Sequence, residues 1–156
     1  MRRAAAWILL VAILSLVGLS GCGAPKVDWT VTINGGSSPY TVTYAELAKK
    51  PQTDLKDVLM QKSMGEDEVV SWSGVALDIL FEEAGITSYS GATATAADGY
   101  AVEISADELK GAIIALKRGN EWITKAEPDK GPIRLVCPET PANRWVFQIQ
   151  ELAVKP

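Results

Sequence analysis

Trp72-Ser73-Gly74-Val75-Ala76-Leu77 is the stretch on which the fold turns. It leads into a segment where Ala76, Leu80 and Ala84 share a helical face that Val75, Ile79 and Phe81 widen, so a helix is predicted from about Gly74 to Ala84. Gly85 fits the left-handed stop position, and Ile86 the apolar contact that accompanies it. Asp78, Glu82 and Glu83 fall mostly on the other side; they could be imagined as a catalytic acid and base, but charges at helical spacing ordinarily make a solvated face.

Upstream, Val27 to Ile33 alternates apolar and polar residues as a half-buried strand does, Asn34 to Pro39 reads as a turn, and Tyr40 to Thr43 as the second strand of a hairpin. Thr43-Tyr44-Ala45-Glu46 and Ser105-Ala106-Asp107-Glu108 share the capping-box pattern, a hydroxyl residue with Glu three positions on, and each predicts a short helix. Glu66-Asp67-Glu68 reads as an acidic turn between strand-like segments. Downstream, strands are expected at Ala92 to Thr95, Tyr100 to Ile104 and Ala112 to Lys117, with Gly119-Asn120 turning into Glu121 to Thr124. After a polar loop from Lys125 to Gly131 come a brief apolar strand, Ile133 to Cys137, and a long final strand, Arg144 to Val154. Short strands interrupted by about three helices, without regular strand-helix alternation, predict a single α+β domain with mixed or antiparallel pairing.

The ends set the compartment. Arg2 and Arg3 followed by the apolar run Ala4 to Leu19 read as an export signal, shorter than the roughly 20 residues a membrane span prefers. Leu19-Ser20-Gly21-Cys22 resembles a bacterial lipobox, which makes Cys22 the lipidated N-terminus after cleavage of a 1–21 signal peptide. Residues 22–39 then supply tether and first strand, and 40–156 the domain. Two acyl chains hold a protein stably at a membrane surface, so the expected location is the bacterial cell envelope, on the outer side of the cytoplasmic membrane or at the outer membrane.

Removing 1–21 leaves 135 of the 156 residues and takes Lys plus Arg from 15 to 13 against 19 Asp plus Glu, a net charge of −6. Such a chain lacks the basic face that nucleic acid requires. With Cys22 lipidated, Cys137 has no partner for an intramolecular disulfide. The absence of histidine removes Ser-His-Asp and Cys-His nucleophiles and histidine-ligated zinc or haem.

Four blocks then stand in order: Trp72 to Leu77 with Ala84-Gly85, Asp98-Gly99-Tyr100, Gly131-Pro132-Ile133-Arg134-Leu135-Val136-Cys137-Pro138, and Arg144-Trp145 with Ile149. Together they resemble the sulfite oxidase-like, molybdopterin-binding domain family, from about Tyr40 to Val154. The resemblance implies that family's fold, molybdopterin as cofactor, and Trp72, Asp98, Tyr100 and Arg134 as candidate cofactor-binding residues. It also implies a metal-ligating cysteine on a strand just before Trp72, with histidines and arginines gripping the pterin and its phosphate. Here that segment is Val58-Leu59-Met60-Gln61-Lys62-Ser63-Met64-Gly65, which offers two thioethers, a hydroxyl and an amine but no thiolate. Neutral Met sulfur suits soft, low-valent ions and does not replace one.

The expectation is therefore a membrane-anchored lipoprotein whose domain serves as a binding or accessory module, without catalytic or metal-ligating residues. The alternative is a compact molybdopterin-dependent oxidoreductase with an electron-transfer partner; a purely structural anchor for an envelope complex is a third reading. Arg134, inside an apolar strand, needs a partner: an internal carboxylate such as Asp98, or an oxyanion. Trp72 and Trp145 either stack on a planar ligand or fill the core, and Cys137 reads as a small buried hydrophobe.

Overall fold

The computed structural model describes residues 23–156; the leader and Cys22 lie outside the described residues. One sheet contains β1 (Thr30–Asn34), β2 (Tyr40–Thr43), β5 (Gly91–Ala96), β6 (Ala101–Ser105) and β11 (Ile149–Lys155) in the order β2-β1-β11-β5-β6. The other contains β3 (Thr53–Met60), β4 (Glu68–Ala76), β7 (Ile113–Arg118), β9 (Arg134–Val136) and β10 (Val146–Phe147) in the order β10-β9-β7-β4-β3, with β8 (Glu121–Trp122) also on β7. β1 and β11 pair in parallel, and the remaining pairs are antiparallel. With the helices α1 (Tyr44–Leu47), α2 (Leu77–Glu83) and α3 (Ile123–Ala126), this is an α+β domain. Among the described residues no helix is long and apolar enough to cross a membrane.

Buried side chains of both sheets form one core. β7 sits inside the second sheet and contributes Ile113, Ile114, Ala115 and Leu116, all fully buried, each large side chain worth roughly 1.5–3 kcal/mol of transfer free energy. The Thr43–Glu46 capping box forms as expected and starts α1. At the end of α2, Gly85 takes a positive φ of 73°, Ile86 N–H donates to Phe81 O at 2.8 Å and Gly85 N–H to Glu82 O at 3.0 Å, which together close a Schellman stop.

Four expectations are corrected. The helix after Trp72 begins at Leu77, because Gly74 to Ala76 still belong to β4 and pair with Ala115 to Ile113 of β7. The apolar spacing of Val75 and Ala76 satisfies either period, and the free edge of β7 decides for strand. At Ser105–Glu108 both reciprocal hydrogen bonds form, but the chain turns without entering a helix and Gly111, at φ 68°, leads it into β7. Glu121 to Thr124 divides into β8 and the start of α3.

The final strand is also broken. Ala142–Arg144 forms a 3-10 turn, β10 joins one sheet and β11 the other, and Gln148 between them adopts φ 49°. That left-handed conformation is uncommon for a residue with a side chain. Three hydrogen bonds hold it: Gln148 N–H to Ile133 O at 2.9 Å, Gln148 Nε2 to Gly131 O at 2.9 Å, and Ala97 N–H to Gln148 O at 3.0 Å. The crossover fixes Phe147 opposite Arg134 in the ladder.

Candidate functional site

Arg134 is the centre of the site. It stands on β9 with only 1% of its surface exposed, and its guanidinium carbon lies 4.6 Å from the Trp72 ring centroid and 4.0 Å from that of Phe147. Two aromatic rings thus flank a buried cation, which interacts favourably with their negative faces. Its Nη2 donates to Glu127 Oε2 at 2.9 Å, its Nη1 has Met60 Sδ at 4.0 Å, and its Nε has no hydrogen-bond partner. Burial pulls the guanidinium down to about 10, against the opposing influence of Glu127, so it remains charged at neutral pH.

The charge network extends outward. Glu127 is also 4.0 Å from Arg118 and 3.8 Å from Lys130, Arg118 binds Glu68 at 2.5 Å, and Glu68 binds Lys62 at 2.7 Å. Four cations share two carboxylates. Arg118 Nε, like Arg134 Nε, is buried without a partner.

Two adjoining cavities open beside this cluster. One, of about 210 Å³, is lined by Met60, Lys62, Met64, Glu127, Arg134 and Phe147 among others; the second, of about 360 Å³, by Asp98, Tyr100, Asp129, Trp145 and Gln148. Lys130, Ala142, Asn143 and Phe147 line both. Asp98, Tyr100 and Arg134 therefore gather around one cleft, with Trp72 beneath Arg134.

The cleft differs from expectation in its details. Asp98 does not neutralise Arg134: its Oδ1 accepts from Tyr100 N–H at 2.9 Å, and Glu127 takes the role instead. Tyr100 is half exposed, with its hydroxyl 3.5 Å from Asn143 O. Trp72 is 1% exposed, has Trp145 edge-on at 5.9 Å between ring centroids, and leaves its indole N–H unpartnered. Met60 is buried and Met64 is 85% exposed, and both line the smaller cavity. Glu127, Phe147 and Lys130 were not singled out from the sequence; Glu127 and Lys130 lie in a polar loop, and nothing local distinguishes them.

Cys137 lies elsewhere. It is fully buried, its backbone oxygen accepts from Trp145 Nε1 at 2.8 Å, and burial pushes its thiol up to about 12. A thiol so shielded should not react with an aromatic disulfide reagent at pH 8 in the folded protein, and should react stoichiometrically once denatured. Rapid labelling of the folded state would show that the strand opens.

The family profile "Oxidoreductase molybdopterin binding domain" matches residues 22–156. The chain belongs to that family. The sulfane dehydrogenase SoxCD from Paracoccus pantotrophus shares the fold, with TM-score 0.69 and 21% identity over 85% of this chain; the match covers 40% of the SoxCD chain. No curated protein matches the sequence.

The residues at the cleft do not fit a molybdenum-bearing pterin. The one described cysteine, Cys137, is buried just after β9, under the influence of Glu108 and Arg144, and lines neither cavity. Arg144, which could address a phosphate, is spent on Glu108 Oε1 at 2.9 Å, Glu108 Oε2 at 3.1 Å and Glu103 O at 2.5 Å.

Proposed function

We propose that this chain is an envelope lipoprotein, anchored through Cys22, whose single molybdopterin-binding-type domain acts as a binding or accessory module and not as a molybdenum oxidoreductase. The observation that carries this reading is the donor set of the cleft: two amines, one guanidinium, two thioethers, a hydroxyl, an amide and the Glu127 carboxylate bound to Arg134, but no thiolate where the family's metal would need one. Lipid on Cys22 makes the membrane one partner, and an envelope protein is the expected other. Family membership alone favours the second reading, a compact molybdopterin-dependent oxidoreductase that receives or passes electrons through a partner chain.

The test is elemental and pterin analysis of the full-length protein purified from its native host after export. The expected result is no stoichiometric molybdenum, tungsten or pterin, with an acylated Cys22 at the N-terminus by mass spectrometry. Stoichiometric metal with pterin would overturn the accessory reading in favour of the oxidoreductase. An unmodified N-terminus would remove the anchor.

A further inference from the structure

The cavity beside Arg134 is a patch of positive charge in an acidic protein. Lys62, Arg118, Lys130 and Arg134 are linked through only two carboxylates, Glu68 and Glu127, so the cluster keeps an excess of cationic charge. Three of these cations, Lys62, Lys130 and Arg134, line the same cavity. Arg134 is 1% exposed and its Nε is unpartnered, a costly state for a buried donor in the absence of an acceptor. Met60, Met64, Ala142 and Phe147 supply an apolar part of the wall, and Ser63, Asn143 and the Glu127 carboxylate, already bound to Arg134 Nη2 at 2.9 Å, complete it. The acids Asp98 and Asp129 line the neighbouring cavity and not this one.

We propose that this cavity binds a small organic carboxylate, with its anionic end toward Lys62, Lys130 and Arg134 and its hydrocarbon end against Met60, Met64 and Phe147. A volume of about 210 Å³ equals the share of about seven liquid waters, which limits the ligand to a few carbons. An inorganic oxyanion would satisfy the cations but would leave Met60, Met64, Ala142 and Phe147 without an apolar partner. A short carboxylic acid satisfies both halves. The inference deepens the proposed binding function and rests on the cleft being free of a metal-pterin cofactor.

The experiment uses full-length exported protein labelled with ¹⁵N-arginine, titrated with acetate, propionate and butyrate, with butyramide and sulfate as controls, while the Arg134 Nε–H signal is followed. The expected result is a saturable shift that tightens roughly fourfold with each methylene buried from acetate to butyrate. Butyramide should produce no saturable shift, and sulfate should bind at least tenfold more weakly than butyrate. Lys130→Ala and Lys62→Ala, changes at side chains 53% and 28% exposed, should each weaken butyrate at least threefold while leaving the fold intact by circular dichroism. Sulfate binding as tightly as butyrate, butyramide binding equally well, or no saturable shift in metal-free protein would each overturn the carboxylate site and leave the accessory function standing. Stoichiometric molybdenum and pterin in the same preparation would instead overturn the function itself.

Discussion

Glu127→Ala should destabilise the domain by about 3–5 kcal/mol, the range for removing one partner of a buried ion pair. Arg134 is not free to turn out into water, because the Trp72 and Phe147 rings pack within 4.6 and 4.0 Å of its guanidinium and only 1% of the residue is exposed. Arg118 lies within 4.0 Å of the same carboxylate, so the substitution also leaves two guanidinium groups facing each other with Glu68 alone to compensate. Glu127→Gln retains an acceptor for Arg134 Nη2 and should cost less than Glu127→Ala. Replacing both members, as Glu127→Leu with Arg134→Met, removes the charge that needs solvation and should recover most of the loss. Urea unfolding of the four proteins checks this. A loss below about 1 kcal/mol for Glu127→Ala would mean that Arg134 reaches solvent or another anion.

That ion pair also marks where the sequence stops being informative. Arg134 was recognisable as a cation in an apolar strand, and its need for a partner follows from solvation alone. Which carboxylate answers depends on how the loop after α3 folds back, with Glu127 N–H donating to Ile123 O at 2.8 Å and Gly131 N–H to Glu127 O at 2.9 Å. The motif places Asp98 as the candidate, but an aspartate two residues before an N–H closes its own turn first. Local rules succeeded where the deciding contacts are local: the Thr43–Glu46 cap, the Gly85 stop and the Gly119-Asn120 turn. They failed where tertiary pairing decides. Ser105–Glu108 makes the bonds of a helix start without a helix, and the alternation from Arg144 to Val154 conceals Gln148, where the chain leaves one sheet for the other. Phe147 gains its place over Arg134 from that crossover. The four motif blocks were thus legible as fold, while the Lys62, Glu127 and Lys130 lining of the cleft, drawn from the β3–β4 turn and the loop after α3, was not.

Gly74→Ala should cost about 3 kcal/mol, the upper end for overpacking, and lower Tm by roughly 10 °C. The glycine of the Trp72-Ser73-Gly74-Val75 block does not serve a special backbone angle; its φ is outside the left-handed region. It serves a close approach. A Cβ placed there would lie 2.0 Å from Ile114 O and 2.6 Å from Ala115 Cα. Both atoms belong to the backbone of β7, which is held by β4 on one side and β9 on the other, so no side chain can swing away. The β4–β7 register shifts between Ser73 and Gly74, and the methyl would press on the ladder at that irregularity. Displacing it would also disturb Trp72, two residues earlier, and with it one of the two rings against Arg134. Gly23→Ala provides the control, since nothing lies within 4 Å of that position and the change should stay within about 0.5 kcal/mol. Thermal and urea unfolding distinguish the cases. If Gly74→Ala proved as mild as Gly23→Ala, β4 and β7 would not pack as closely as described, and the glycine of the motif would need a reason other than the approach of two strands.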